Sequence, residues 1–228
     1  MQKTTSKKVL NKTVNRTELS TLEKPKKVSN LIEDKKMAKQ ELLGILEKDS
    51  TYKSDLKTPF LIIFATDLNG EKELISRDFL FNFLQGCLAL NVKVVVVNTQ
   101  QPSDLNNLGE LTENDGRIVW YNPKTDTNDI NREEKEIDRF LMAADMAIVF
   151  NNHQELVKLL KSYGVVLISD EKSPLLENYK PNEETGNSFL YKKMDLWSVF
   201  AALVRALETF KFPYDWNHIV RKIFKWAF

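Results

Sequence analysis

Residues 137–169 read IDRFLMAADMAIVFNNHQELVKLLKSYGVVLIS. Two short apolar runs, 146–150 and 165–169, carry almost no charge, as strands buried on both faces of a parallel sheet require. Between them Leu156, Leu159 and Leu160 recur at helical spacing, and Gly164 stands where a helix takes a left-handed C-cap. A short helix leads into the first run. Strand, crossover helix and second buried strand make a βαβ unit.

The flanking sequence repeats the pattern. On the N-terminal side Pro59 opens an apolar strand over 60–66, and a helix over 77–90 carries Phe79, Leu80, Phe83, Leu84 and Leu88. VKVVVVN, residues 92–98, is a strand of five valines and one lysine. RIVWYN over 117–122 is a further strand, and 104–111 has helical potential. On the C-terminal side a short strand is expected over 187–191 and a helix over 193–210, with Leu196, Val199, Phe200, Leu203, Leu207 and Phe210. A last helix follows Pro213, with Trp216, Ile219, Val220, Ile223, Phe224 and Trp226. The aromatic residues of these two helices read as core packing. Strands and helices alternate, so the fold class is α/β, a Rossmann-like, mostly parallel sheet flanked by helices with right-handed crossovers.

Residues 1–36 are polar, and KKVLNK and EKPKK give them a local excess of about +6. Too few apolar residues are present there to build a core, so a disordered basic arm or linker is expected, with a domain over 37–228. The arm could also tether an acidic partner or RNA. An amphipathic helix is expected over 33–46, from Met37, Leu42, Ile45 and Leu46.

Composition excludes more than it selects. The net charge is +1, so no overall field favours nucleic acid or a membrane surface. A single cysteine, Cys87, excludes an internal disulfide framework and a cysteine-built metal site, and fits a reducing compartment. No apolar run reaches the ~20 residues that cross a bilayer, so a cytoplasmic location is expected. Seven glycines in 228 residues leave little material for phosphate-cradling loops. No internal repeat, Ser/His/Asp arrangement, metal-ligand spacing or P-loop is found. The acidic residues Glu133, Glu134, Glu136 and Asp138 read as a solvated helix face, and His218 as structural or surface.

Colinear motifs over about residues 35–226 resemble those of the C-terminal half of bacterial glycogen and starch synthases, glucosyltransferases of the two-domain GT-B fold. The family's proline, apolar strand and S-R-L-x-x-Q-K-G-L resemble Pro59, the strand after it, Thr66-Asp67-Leu68, Glu71-Lys72-Glu73 and Leu74. Its A-D-V-x-L-V-P-S is similar to Ala144-Asp145-Met146-Ala147-Ile148-Val149-Phe150-Asn151, and its Y-G-x-x-P-V to Tyr163-Gly164-Val165-Val166-Leu167-Ile168. T-G-G-L-x-D-T-V lies over Lys172 to Tyr179 without a gap. G-T-G-F-x-F resembles the residues from Thr185 to Tyr191, ahead of the 193–210 helix and Trp216. KKMAKQELLGIL resembles the family's N-K-x-x-L-Q-x-x-x-G-L helix.

The resemblance implies a single GT-B C-terminal-type domain. It also implies transfer of glucose from a nucleotide sugar, ADP-glucose or UDP-glucose, to an α-1,4-glucan; no other cofactor and no metal is implied. Lys72 matches the lysine that holds the diphosphate of the donor, where a cation neutralises the leaving group. His153 and Glu155 stand in the loop and helix start after the 146–150 strand, the first as a nucleotide-sugar contact and the second as an approximate stand-in for the donor-site glutamate. The departures are as informative. Asp67 occupies the arginine position, where a carboxylate repels phosphate, and the E-P-C-G-L loop is shortened to Asn152-His153-Gln154-Glu155. Ser173-Pro174 replaces both glycines of T-G-G-L and removes one N–H. The family's N-terminal domain has no counterpart, so this chain would build one wall of a two-domain cleft. A degenerate, non-catalytic binding or regulatory module is therefore expected. The alternatives are half of a split glucosyltransferase completed by a separate N-terminal-domain chain, and an interaction scaffold using the basic arm.

Overall fold

The computed structural model describes residues 28–48, 52–65, 74–98, 116–121, 130–150 and 154–225. In chain order the elements are α1 (Val28–Leu46), β1 (Phe60–Phe64), α2 (Arg77–Leu88), β2 (Lys93–Val97), β3 (Ile118–Tyr121) and α3 (Ile130–Ala143). They continue with β4 (Met146–Ile148), α4 (Gln154–Ser162), β5 (Val166–Asp170), β6 (Ser188–Tyr191), α5 (Leu196–Phe210) and α6 (Pro213–Lys225). The six strands form one sheet in the order β3-β2-β1-β4-β5-β6, and every pairing is parallel. This is the doubly wound Rossmann order, in which the chain starts at the centre, winds to one edge, then returns and winds to the other.

Strand burial follows from that topology. Every residue of β1, β2 and β4 is buried, because helices cover both faces of the central strands. At the β3 edge Val119 and Trp120 are only half-buried. Helices α2 and α5 pack on each other over one face, where Phe83 and Phe200 meet edge to face at 5.9 Å. Helices α1, α3, α4 and α6 form the opposite layer. Trp216 of α6 stacks on Phe189 of β6 and receives Phe210 edge-on, so these aromatic residues pack in the core as expected, whereas Trp197 of α5 and Tyr214 of α6 do not and are exposed. Gly164 ends α4 as expected. Its φ is +63°, its N–H reaches the Lys161 carbonyl at 2.9 Å, and the Val165 N–H reaches the Leu160 carbonyl at 3.1 Å. These two bonds are the Schellman pair that closes a helix through a left-handed residue.

Two further expectations need correction. The first helix is longer than 33–46: it starts at Val28, and Leu31 and Lys35 are buried in the core, so part of the stretch read as arm packs on the domain. Asp138 is not on a solvated face. It is half-buried on α3 and accepts a hydrogen bond from the Tyr163 hydroxyl, whose pKa is raised by burial and by that carboxylate. The helical potential at 104–111 lies outside the described residues.

The amino edge of the sheet is stitched by buried lysines. Lys35 donates to the carbonyls of Ala144 (2.6 Å), Tyr163 (3.1 Å) and Met142 (3.3 Å), which include unsatisfied acceptors at the C-terminus of α3. Lys39 pairs with Asp145 at 2.6 Å, and Asp145 also accepts the Phe60 N–H at 2.8 Å, so one carboxylate ties α1 to the start of β1. Lys93, fully buried, donates to the Gly116 carbonyl at 2.6 Å and lies 3.4 Å from Glu47. These cations satisfy carbonyls and carboxylates. Their role is to hold helix and strand ends together.

Candidate functional site

In a doubly wound sheet, ligands bind outside the carboxyl ends of the strands where the winding reverses. Here that point lies between β1 and β4. Both strands end in buried apolar residues, Ala65 after β1 and Val149 and Phe150 after β4, which form the floor. The Leu74 N–H donates to the Ala65 carbonyl at 2.8 Å, so the two flanks of 66–73 meet at the carboxyl end of β1. Ser76 then caps α2 by accepting from the Phe79 N–H at 3.3 Å. Across the reversal, α4 begins at Gln154.

Of the three residues singled out from the sequence, Lys72 and His153 lie outside the described residues. Glu155 sits in the first turn of α4, where a carboxylate interacts favourably with the helix dipole. Its side chain is 90% exposed and its ion pair is to Lys158, 3.5 Å away on the same helix face. That geometry is a solvated helix start. No described acid or base is within hydrogen-bonding distance of Glu155 apart from Lys158.

The turn after β5 is better defined. Asp170 closes it from both its backbone and its side chain: the carboxylate accepts the Lys172 N–H at 2.8 Å and the carbonyl accepts the Ser173 N–H at 3.2 Å. Pro174 follows with no N–H to give. Three consecutive positions therefore offer no free amide, and a carboxylate stands at the turn instead. Such an arrangement repels an anion rather than cradling one.

Downstream, the 174–187 segment returns beside β6 through a parallel bridge from Asn178 to Ser188, and an antiparallel bridge from Lys180 to Thr185 closes the segment on itself. Asn178 organises it. Its side-chain oxygen accepts from the Leu190 N–H (3.0 Å) and from Arg205 of α5 (3.2 Å), and Arg205 also donates to the Leu190 carbonyl at 2.6 Å. Gly186 permits the close return: its φ is +87°, and an added Cβ would fall 2.3 Å from the Asn178 carbonyl oxygen.

Other chemistry is sparse among the described residues. Burial pushes the Cys87 thiol up to about 12, which suits packing rather than nucleophilic attack. The Ser169 hydroxyl is buried with no hydrogen-bond partner among the described residues. Among the described residues, no group of three His, Cys, Asp or Glu is placed to hold a metal ion, and no helix is long and apolar enough to cross a membrane. What sequence reasoning missed was the Asn178–Arg205 pair and the Asp170 turn, since neither follows a spaced motif.

The fold aligns with a solved structure, the catalytic domain of starch synthase IV from Arabidopsis thaliana bound to ADP and acarbose, with a TM-score of 0.62. Identity is 14%, and the alignment covers 86% of this chain and 40% of that one. The chain thus has a glycogen/starch-synthase-like, GT-B-type Rossmann fold and spans well under half the length of that neighbour. No family model matches the sequence, and no curated protein matches it.

Proposed function

We propose that this chain is a binding or regulatory module of α-glucan metabolism, built on a glycosyltransferase fold and non-catalytic on its own. The observation that carries the reading is the turn after β5. Asp170 consumes the amides of Lys172 and Ser173, and Pro174 has none, where the resembling motif presents glycine amides to phosphate. Asp67 in place of the family's arginine points the same way. The solvated position of Glu155 adds that the one described candidate acid makes no contact suited to a donor sugar.

A second reading is favoured by the 40% coverage of the neighbour. In that reading the chain is half of a split glucosyltransferase, and a separate N-terminal-domain chain completes a cleft to which Lys72, His153 and Glu155 contribute, with ADP-glucose or UDP-glucose as donor. A third, the interaction scaffold, predicts that deleting residues 1–27 removes pull-down partners without unfolding the domain.

Incubation of the chain with radiolabelled ADP-glucose and glycogen tests the first reading. It predicts no label in the glucan. Incorporation by the chain alone, lost on Lys72→Ala, would overturn it, and incorporation only after adding a glycosyltransferase N-terminal domain would establish the split enzyme.

A further inference from the structure

β6 is the last strand of the sheet, so half of its backbone groups face away from β5. The Tyr191 carbonyl faces inward and accepts the Glu171 N–H at 3.0 Å, so by alternation the outward residues are Ser188 and Leu190. Every outward group of these two residues is spent. The Ser188 N–H donates to the Glu177 carbonyl at 3.1 Å and the Ser188 carbonyl accepts the Tyr179 N–H at 2.7 Å, both from the returning backbone. At Leu190 side chains take over: its N–H donates to Asn178 Oδ1 at 3.0 Å, and its carbonyl accepts from Arg205 at 2.6 Å. Arg205 also donates to that Asn178 oxygen at 3.2 Å, and the Asn178 amide nitrogen donates to the Tyr179 carbonyl at 3.5 Å, so the amide is engaged at both ends.

An edge strand with open N–H and C=O groups is a template for another chain, and proteins blunt it with charge, proline or a bulge. β6 reads SFLY and carries neither charge nor proline. Its two aromatic residues favour strand pairing, so the bare strand would invite a partner. The return covers it instead, seated by the buried Tyr179 ring 5.9 Å from that of Phe189 and by the Asn178–Arg205 pair, which ties the return to both β6 and α5. We propose that Asn178 and Arg205 form an edge guard: they hold the return on β6 and keep that strand from pairing with β6 of a second copy of this chain. Two such identical edges would meet antiparallel across a two-fold axis. The guard is independent of the functional reading above, since it rests only on the backbone groups of one strand and the residues that occupy them.

Sedimentation velocity of the full chain over a wide range of micromolar concentrations, with hydrogen exchange of the Leu190 amide at both ends of the range, tests the guard. The variant is Asn178→Ala/Arg205→Ala. At low concentration its Leu190 amide should exchange at least about tenfold faster than the parent's. At high concentration its mean mass should rise above the parent's, and the Leu190 amide should regain protection as the strands pair. A variant that sediments as the parent does at every concentration overturns the guard. So does association that leaves the Leu190 amide unprotected, because another surface then carries it. Arg205→Ala alone decides the matter if the double variant fails to fold. Arg205 is exposed on α5, where alanine suits the helix, and its loss frees the Leu190 carbonyl. That chain should self-associate more than the parent, and sedimentation identical to the parent's overturns the guard.

Discussion

Gly186 is the residue on which the geometry beside β6 depends most sharply. At φ +87° and with the Asn178 carbonyl 2.3 Å from any added Cβ, a Gly186→Ala chain must both strain its backbone and open the return against β6. The expected loss is about 2–4 kcal/mol in urea unfolding, far above the few tenths typical of a surface change. A loss under about 0.5 kcal/mol would show that the segment repacks freely. The sequence held part of this. Gly186 falls in a stretch resembling a glycine motif, yet its contact with Asn178 spans eight residues of loop and follows no period. Gly164 was legible as a cap because the helix before it announces its own end.

Lys35 illustrates the converse. In the sequence it is one lysine among many in a basic stretch, and only the fold shows it beneath α3 and Tyr163. Burial lowers its pKa from the ordinary 10.5 to about 8, with Asp145 opposing the shift and Lys39 adding to it. Between those values the unfolded chain holds a proton that the folded chain has lost. The stability contribution of this group is therefore complete above about pH 10.5 and is lost as pH falls through about 8. Relative to Lys35→Met, the parent should gain stability as pH rises from 7.5 to 10, read as the difference between their urea midpoints at each pH. A difference that stays flat would mean the ammonium is not desolvated.

At the scale of elements, the strands were easy to read and the first helix was not. Central strands of a parallel sheet are apolar on both faces, so FLIIF and VVVV stand out against any background. Helix α1 buries a narrow stripe, Leu31, Ala38, Leu42 and Leu43, and its remaining inward positions are Lys35 and Lys39, whose charges hide the stripe from a hydrophobicity pattern. The helix is a structural part of the domain. A chain lacking residues 1–36 loses Leu31, the Lys35 bonds and over two turns of α1. It should unfold at clearly lower urea than one lacking only residues 1–27. Equal midpoints would return that segment to the arm.

At the scale of the molecule, the two edges of the sheet carry different work. The amino edge is closed by Lys35, Lys39 and Lys93 on carbonyls and carboxylates, and the carboxyl edge ends at the reversal, where α4 opens on Glu155. Doubly wound topology dictates that division, and the alternation of strands and helices revealed it. The chemistry of the edge was less legible. Asp170 takes the amides of the turn after β5 through bonds that only a folded turn defines, although Pro174 and the scarcity of glycine had already argued against a phosphate cradle.

The most direct measurement is a calorimetric titration of the folded chain with ADP, UDP and ADP-glucose at moderate salt. A module whose phosphate-binding edge has been lost should give no heat with any of the three. Micromolar binding abolished by Lys72→Ala would contradict that account and place a working nucleotide-sugar site at the carboxyl end of β1.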